Sequence, residues 1–295
     1  MSKYPFEDYF LINNKNWLDN LQLNINQISK KLELSELEIN PKSRFGVVIF
    51  CKQKRKNIVL KLVDSGSQKG KRELFAINNL KYSFMNKIIK CSTSDGYYLS
   101  NRLSEIELLN ETDVIGRFNI IMPIFLKVVK EWKNNALGKD TYWQKFTDKI
   151  RRINIKDLPA DMVDHINYTK NLYKIYFSHE KCRLSHGDLH EKNIMKTRDK
   201  LLAIDPLGGY APFEFEFVKY IENQLFVLPY DMIKSALNIL LDQLRLLGVD
   251  SKKLLFALYI DSVERTLTSF ILHDSHDIIK KGRQRINLIK EEIIC

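Results

Sequence analysis

The stretch Leu184-Ser185-His186-Gly187-Asp188-Leu189-His190-Glu191-Lys192-Asn193-Ile194-Met195, followed by Leu201-Leu202-Ala203-Ile204-Asp205-Pro206, decides how this chain is read. It has the form HGDxxxxN, then an apolar segment ending in an aspartate. The apolar runs predict short strands, with the polar loop carried between them. Phosphoryl transfer needs a group that takes a hydroxyl proton and hard oxygen ligands that hold Mg2+ against phosphate oxygens, because its chemistry is largely positioning and charge compensation. Asp188 is the candidate proton acceptor, and Asn193 and Asp205 are the candidate metal ligands. An ordinary polar loop, with Asp188 capping a turn and Asn193 bonding backbone, is the bland alternative. The fixed spacing and the strand-borne Asp205 favour the chemical reading.

Working outward, the first forty residues carry apolar positions at helical spacing (Phe6, Tyr9, Phe10, Trp17, Leu18, Leu21) and predict one or two leading helices. Strands are expected over 32–39, 45–51 and 58–63, the last two forming a hairpin across Lys52 to Asn57. A loop over 64–70 starts a helix bearing Glu73, Leu74, Ile77 and Leu80, and strands over 87–91 and 97–103 flank the turn Ser94-Asp95-Gly96. Helices are expected over 115–137, 142–153 and 162–177, and again from Phe213 on, with breaks near Pro229, Gly248-Val249-Asp250 and Asp274-Ser275. The fold class is therefore α+β. A small antiparallel-sheet lobe with leading helices spans 1–103, and a larger helical lobe spans 104–295, an order that suits a nucleotide clamped between the two.

The residues His186-Gly187-Asp188-Leu189-His190-x-x-Asn193 and Ala203-Ile204-Asp205-Pro206-x-Gly208 resemble the aminoglycoside phosphotransferase superfamily, in particular its streptomycin and hydroxyurea kinase branch. The resemblance implies a protein-kinase-like two-lobed fold, ATP or GTP as donor, and Mg2+. It implies a kinase acting on the hydroxyl of a small molecule, an aminoglycoside-type antibiotic among the options. It casts Lys61, in Val59-Leu60-Lys61-Leu62, as the phosphate-contacting lysine and Glu73 as its ion-pair partner. It gives Asn101, Arg102 and Leu103 the backbone contacts to the base. His190 stands where protein kinases carry a lysine, so it either faces the transferring phosphoryl or braces the loop, while His186 holds the loop's backbone. Two departures stand out: Ser43-Arg44-Phe45-Gly46 offers one glycine where a glycine-rich phosphate loop would lie, and Pro206-Leu207-Gly208-Gly209 follows Asp205 where protein kinases carry Phe-Gly.

The acceptor is the open question. Glu214 or Glu216 could line its pocket or simply charge a helix start. The helical lobe offers Asp231, Asp242, Asp261, Glu264 and Asp274, among helices that are also heavily basic. Two other readings compete: a Ser/Thr protein kinase, opposed by the lack of a long activation segment after Asp205, and a non-catalytic nucleotide-binding module, opposed by the retention of Lys61, Asp188, Asn193 and Asp205 together.

Composition narrows the rest. With 47 Lys and Arg against 36 Asp and Glu, the 295-residue chain carries +11, which invites a nucleic-acid partner. The basic residues are dispersed, however. Their densest group, Lys52, Lys54, Arg55, Lys56, Lys69, Lys71 and Arg72, lacks interleaved aromatics and is expected to be a solvated hairpin face, so nucleic acid is disfavoured. No apolar run is long enough for a membrane span. The cysteines Cys51, Cys91, Cys182 and Cys295 lack metal spacing and are expected as reduced thiols in a cytoplasmic protein. The sequence sets no oligomeric state.

Overall fold

A computed structural model describes residues 15–40, 46–105 and 113–294. Phe6, Tyr9, Phe10, Ser43 to Phe45 and Cys295 lie outside the described residues. Helices α1 (Lys15–Asp19) and α2 (Leu21–Lys31) precede a five-stranded antiparallel sheet of order β1-β2-β3-β5-β4. Its strands are β1 (Ser35–Ile39), β2 (Val47–Gln53), β3 (Lys56–Leu62), β4 (Ile88–Ser92) and β5 (Tyr97–Asn101), with α3 (Gln68–Asn79) inserted after β3.

Strand alternation gives the sheet two different faces. Val47, Ile49, Cys51, Ile58, Leu60, Leu62, Tyr97 and Leu99 form one core with Leu21, Ile25 and Ile28 of α2. The opposite face carries Lys61, paired in register with Val48 on β2 and Tyr98 on β5. The β2–β3 hairpin turns on Lys54 and Arg55, both at positive φ (47° and 69°), as a two-residue turn between twisted strands requires. Lys54, Arg55 and Lys56 are exposed there, as expected of a solvated face.

The larger part is helical: α4 (Val114–Glu131), α5 (Thr141–Arg152), α6 (Ala160–Tyr176), α7 (Phe215–Phe226), α8 (Tyr230–Leu246), α9 (Ser251–Ile271) and α10 (His276–Ile294). Its core centres on α9, whose Leu254, Ala257, Leu258, Tyr259, Ile260, Val263 and Leu267 are fully buried. The predicted breaks at Pro229, Gly248-Val249-Asp250 and Asp274-Ser275 separate these last four helices. Short strands carry the polar loop: β6 (Ser104–Glu105), β8 (Ile194–Lys196) and β9 (Leu201–Ala203) form one sheet, while β7 (Arg183–Leu184) pairs with β10 (Tyr210–Ala211). Among the described residues, no helix is long and apolar enough to cross a membrane.

The segment 80–86 connects the two parts. Tyr82 and Phe84 are buried in the helical core although they follow α3 directly. Ala203 N donates to Phe84 O (2.7 Å) and Asn86 N to Ala203 O (2.8 Å), which stitches this segment to β9 just before Asp205.

Candidate active site

Lys61 lies on the central strand β3, and α3 lies against the same sheet face. Its Nζ is 2.8 Å from Glu73 Oε1 and 3.0 Å from Asp205 Oδ2, so one ammonium joins the sheet, α3 and the end of the β8–β9 hairpin. The side chains of Lys61 and Glu73 are only 7% and 4% exposed, whereas Asp205 keeps 36%. Burial opposes the Lys61 charge, but Asp205 and Glu73 outweigh it and hold the ammonium well above its ordinary value. Tyr98, opposite Lys61 in register, completes the group: its hydroxyl lies 3.0 Å from Glu73 Oε1 and 3.1 Å from Asp205 Oδ1. Asp205 adopts a left-handed φ of 55°, a conformation that non-glycine residues rarely hold unless their surroundings fix it.

The loop that follows β7 is built on buried polar contacts. His186 is fully buried, its Nε2 is 2.9 Å from Ile204 O, and its Nδ1 accepts the Asp188 N–H at 3.4 Å. Burial pushes the imidazole down to about 4, so it is neutral and bonds the loop's backbone. Asn193 Nδ2 donates to Asp188 O (2.9 Å) and Oδ2 (3.1 Å), and Ile204 N donates to Asn193 O (2.9 Å). Asp188, Asn193 and Asp205 are thereby brought together. His190 caps the turn Glu191–Asn193 by accepting the Lys192 N–H at Nδ1 (3.2 Å), and its Nε2 stands 3.6 Å from Asp188 Oδ2. It both braces the loop and faces the carboxylate. Burial alone would raise Asp188, but the adjacent His190 and the more distant Lys219 outweigh it and hold the carboxyl at about 2.

Glycine is needed where the two halves meet. Gly208 has φ +69°, and a Cβ there would lie 2.6 Å from Arg72 O and 2.8 Å from Ala76 Cβ of α3. The helix that carries Glu73 therefore rests directly on the segment after Asp205.

Several groups differ from their sequence reading. Lys69 and Arg72 are half-buried, unlike the exposed hairpin lysines, because α3 turns them toward the cleft. Burial brings the Lys69 ammonium down to about 8, against the opposing pull of Glu73 and Asp188. Glu216 neither lines a pocket nor serves only the helix start: it is 1% exposed, accepts the Ser185 hydroxyl, and takes the His186 N–H at 3.1 Å. Burial raises it to about 7. Of the carboxylates considered for the acceptor, Asp231 and Asp242 are exposed, while Asp261 is buried against Lys219 and Tyr142. Of the backbone groups expected to meet the base, Asn101 O already accepts from Asn86 Nδ2 (2.9 Å) and Arg102 N donates to Asn57 O (3.4 Å), while Leu103 follows the end of β5. Sequence reading missed Tyr98. It also missed the half-buried Val48, Phe50 and Val59, which share the Lys61 face of the sheet, with the Arg102 guanidinium 4.0 Å over the Phe50 ring. Cys182 is a buried thiol pushed up by burial to about 12, and it is unsuited to nucleophilic work.

Asp205 and Asn193 bring a carboxylate and a neutral amide oxygen, the hard donors that Mg2+ prefers, and they leave coordination positions for phosphate oxygens and water. The donor set fits the ion.

No protein-family model matches the chain. A methylthioribose kinase of Bacillus mycoides (strain KBAB4) is 32% identical over 102 residues, covering 31% of this chain and 26% of that protein. The chain thus matches about a quarter of the length of this relative. The crystal structure of choline kinase LicA from Streptococcus pneumoniae superposes with a TM-score of 0.63 at 14% identity, covering 92% of this chain and 99% of that one. A thermostable mutant of aminoglycoside phosphotransferase APH(4)-Ia, in a ternary complex with ADP and hygromycin B, gives 0.58 at 11% identity, covering 90% and 96%. These likenesses bear out the fold expected from the HGDxxxxN stretch and do not bear out the streptomycin and hydroxyurea kinase branch. The chain shares the fold of choline kinase LicA and aminoglycoside phosphotransferase APH(4)-Ia, with a five-stranded antiparallel sheet and a larger helical part.

Proposed function

We propose that the chain is a Mg2+-dependent kinase that transfers the terminal phosphoryl of ATP or GTP to a hydroxyl of a small molecule. The observation that carries this reading is the convergence of the Lys61–Glu73–Asp205 group with the Asp188–Asn193 loop in one cleft. Lys61 contacts the donor's phosphates, and Glu73 holds it there. Val48, Phe50 and Val59 cover the base, whose edge meets the backbone of Asn101 to Leu103. Asn193 and Asp205 hold Mg2+, which when bound offsets phosphate charge. Asp188 orients the acceptor hydroxyl and takes its proton as the bond from its oxygen to phosphorus forms and the bond from phosphorus to the bridging oxygen of the departing nucleoside diphosphate breaks. A carboxyl held at about 2 is a weak base, so the proton moves late, when the hydroxyl has become acidic. His190 faces the reacting phosphoryl beside Asp188.

The N-terminal unit 1–103 binds nucleotide, and 104–295 supplies the loop and the acceptor site. The free thiols Cys51, Cys91 and Cys182 suit the cytoplasm. Small-molecule acceptors are favoured by the fold neighbours, one a choline kinase and one holding hygromycin B, so an aminoglycoside-type antibiotic belongs to the class to be tested.

The test is nucleotide consumption by the purified protein with Mg2+, across aminoglycosides, amino alcohols, sugars, hydroxy acids and generic protein substrates. Turnover that depends on one small hydroxyl compound is expected. Labelling of protein alone would redirect the reading to a protein kinase, and absence of both turnover and nucleotide binding would end it.

A further inference from the structure

The face of α7 turned toward the HGD loop is fixed at two points. Glu216 holds Ser185 and His186, and two turns on Gln224 Nε2 donates to Glu191 Oε2 (3.2 Å). Lys219 and Asn223 lie on the same stripe, at helical spacing between and beside these anchors. Behind them α9 supplies Asp261 and Arg265. Lys219 Nζ binds both oxygens of Asp261 (2.9 and 2.8 Å), which also accepts the Tyr142 hydroxyl. Arg265 Nη1 binds Glu222 Oε2 (2.9 Å) and reaches Asn223 Oδ1 (3.4 Å), and Glu222 also accepts the Ser262 hydroxyl.

The two partners of each pair are not equally accessible. The side chains of Asp261 and Glu222 are 1% and 2% exposed, whereas those of Lys219 and Arg265 are 22% and 36% exposed. The acids are sealed behind their cations with their oxygens engaged, so this wall offers mainly N–H donors. Both cations lie close enough to Asp188 to interact with its charge. A third cation lies beside Arg265. Arg285 of α10 is 8% exposed, stacks on the Phe226 ring (4.7 Å) that Arg265 also covers (5.1 Å), and has a buried Nη1 without a hydrogen-bond partner. The open ends of both pairs are thus their cations. A polyammonium or quaternary ammonium acceptor would meet like charge here and find few oxygens to bind.

We infer that the acceptor carries an anionic oxygen group, carboxylate or phosphoryl, held by Lys219 and Arg265 while its hydroxyl faces Asp188. This rests on the kinase reading above and narrows it away from aminoglycosides and choline.

Calorimetric binding of four probes to the protein with AMP-PNP and Mg2+ tests it: ribitol, ribonate, ribitol 5-phosphate and choline. One or both anionic probes should bind about tenfold tighter than ribitol, the scale of charge-assisted hydrogen bonds, with choline weakest. Which anion gains identifies carboxylate or phosphoryl. The double variant Arg265→Gln with Glu222→Gln, which removes the pair without leaving a lone buried acid, should erase most of that advantage. Arg265→Lys, which keeps the charge, should retain part of it. Ribitol or choline binding as tightly as both anions, or a double variant that is folded by its thermal midpoint and keeps the full preference, would overturn the inference even if ATP is consumed. An anion preference without ATP turnover would instead keep the site and remove the kinase reading.

Discussion

The two sides of the proposed site solve the same electrostatic problem in opposite ways. On the nucleotide side one buried ammonium, Lys61, is shared by two carboxylates from different parts of the chain, with the Tyr98 hydroxyl between them. That group carries a net negative charge and leaves Asp205 partly open. On the side proposed for the acceptor two cations each hold a buried acid, Lys219 with Asp261 and Arg265 with Glu222, and the open ends are the cations. On the proposed reading the first arrangement takes phosphates together with a cation. The second can meet oxygen ligands directly. The first is also one unit built on a single shared ammonium, while the second consists of two separate hydrogen-bonded ion pairs.

The largest expected effect falls where the sides meet. Asp188→Asn should lower kcat by about a thousandfold or more, the upper range for removing a general base, while nucleotide affinity stays within about twofold. A variant that keeps wild-type turnover would remove Asp188 from the chemistry and detach the acceptor side from the reaction. Next comes Lys61→Met. Leaving Glu73 buried without its cation should cost about 3–5 kcal/mol in urea unfolding, and Lys61→Met with Glu73→Gln should recover much of it. If the double variant is as unstable as the sum of the two single ones, the nucleotide side is not a coupled unit.

The two sides also differed in how far they could be read from sequence. Asp188 and Asn193 lie just before the β8–β9 hairpin and Asp205 just after it, so their spacing alone brings them together, and Lys61 and Glu73 follow from a strand and the helix after it. Tyr98 was hidden, because a tyrosine in an apolar strand looks like core until β3 and β5 are known to pair Lys61 with Tyr98. Lys69 and Arg72 looked solvated as part of a charge run. Their helical spacing with Glu73 and Ala76, which puts all four on one side of α3, was the signal available. The acceptor side was not legible. Lys219 and Glu222 belong to α7, Asp261 and Arg265 to α9, and periodicity gives each helix a face without saying which face meets which. Glu216 misled for a related reason: its place in the first turn of α7 explained it without reference to Ser185 and His186.

Glu216 gives the third prediction, at the root of the loop. Its folded value of about 7 lies above the ordinary 4.5, so the folded protein keeps a proton that the unfolded chain has already released between those two pH values. Stability should therefore fall as pH rises from about 4.5 to 7 and level off above, by about 3 kcal/mol from this group. Glu216→Gln cannot titrate, so the wild-type minus variant difference in urea midpoint should slope through that window. A flat difference would mean that the carboxylate is ionised at its ordinary pH and that the loop is anchored by charge, as the pairs on the acceptor wall are.

The smallest effect sharpens the comparison most. Tyr98 has one hydroxyl proton and two carboxylates within reach, so it serves Glu73 and Asp205 in turn, while Lys61 holds both. Tyr98→Phe removes that bond but leaves the ion pairs and the buried ring in position, so the cost should be about 1–2 kcal/mol, with at most about a tenfold fall in kcat/KM. Combined with Glu73→Gln, the loss should be non-additive by about 1 kcal/mol, because both changes act on the same shared proton and cation. The same cycle run with Tyr142→Phe and Glu222→Gln on the acceptor side should be additive, since the hydroxyl of Tyr142 serves Asp261 and Glu222 belongs to the other pair. Additivity on both sides would mean that the nucleotide side is only another set of pairs, and the waiting negative charge at Asp205 would lose its structural basis.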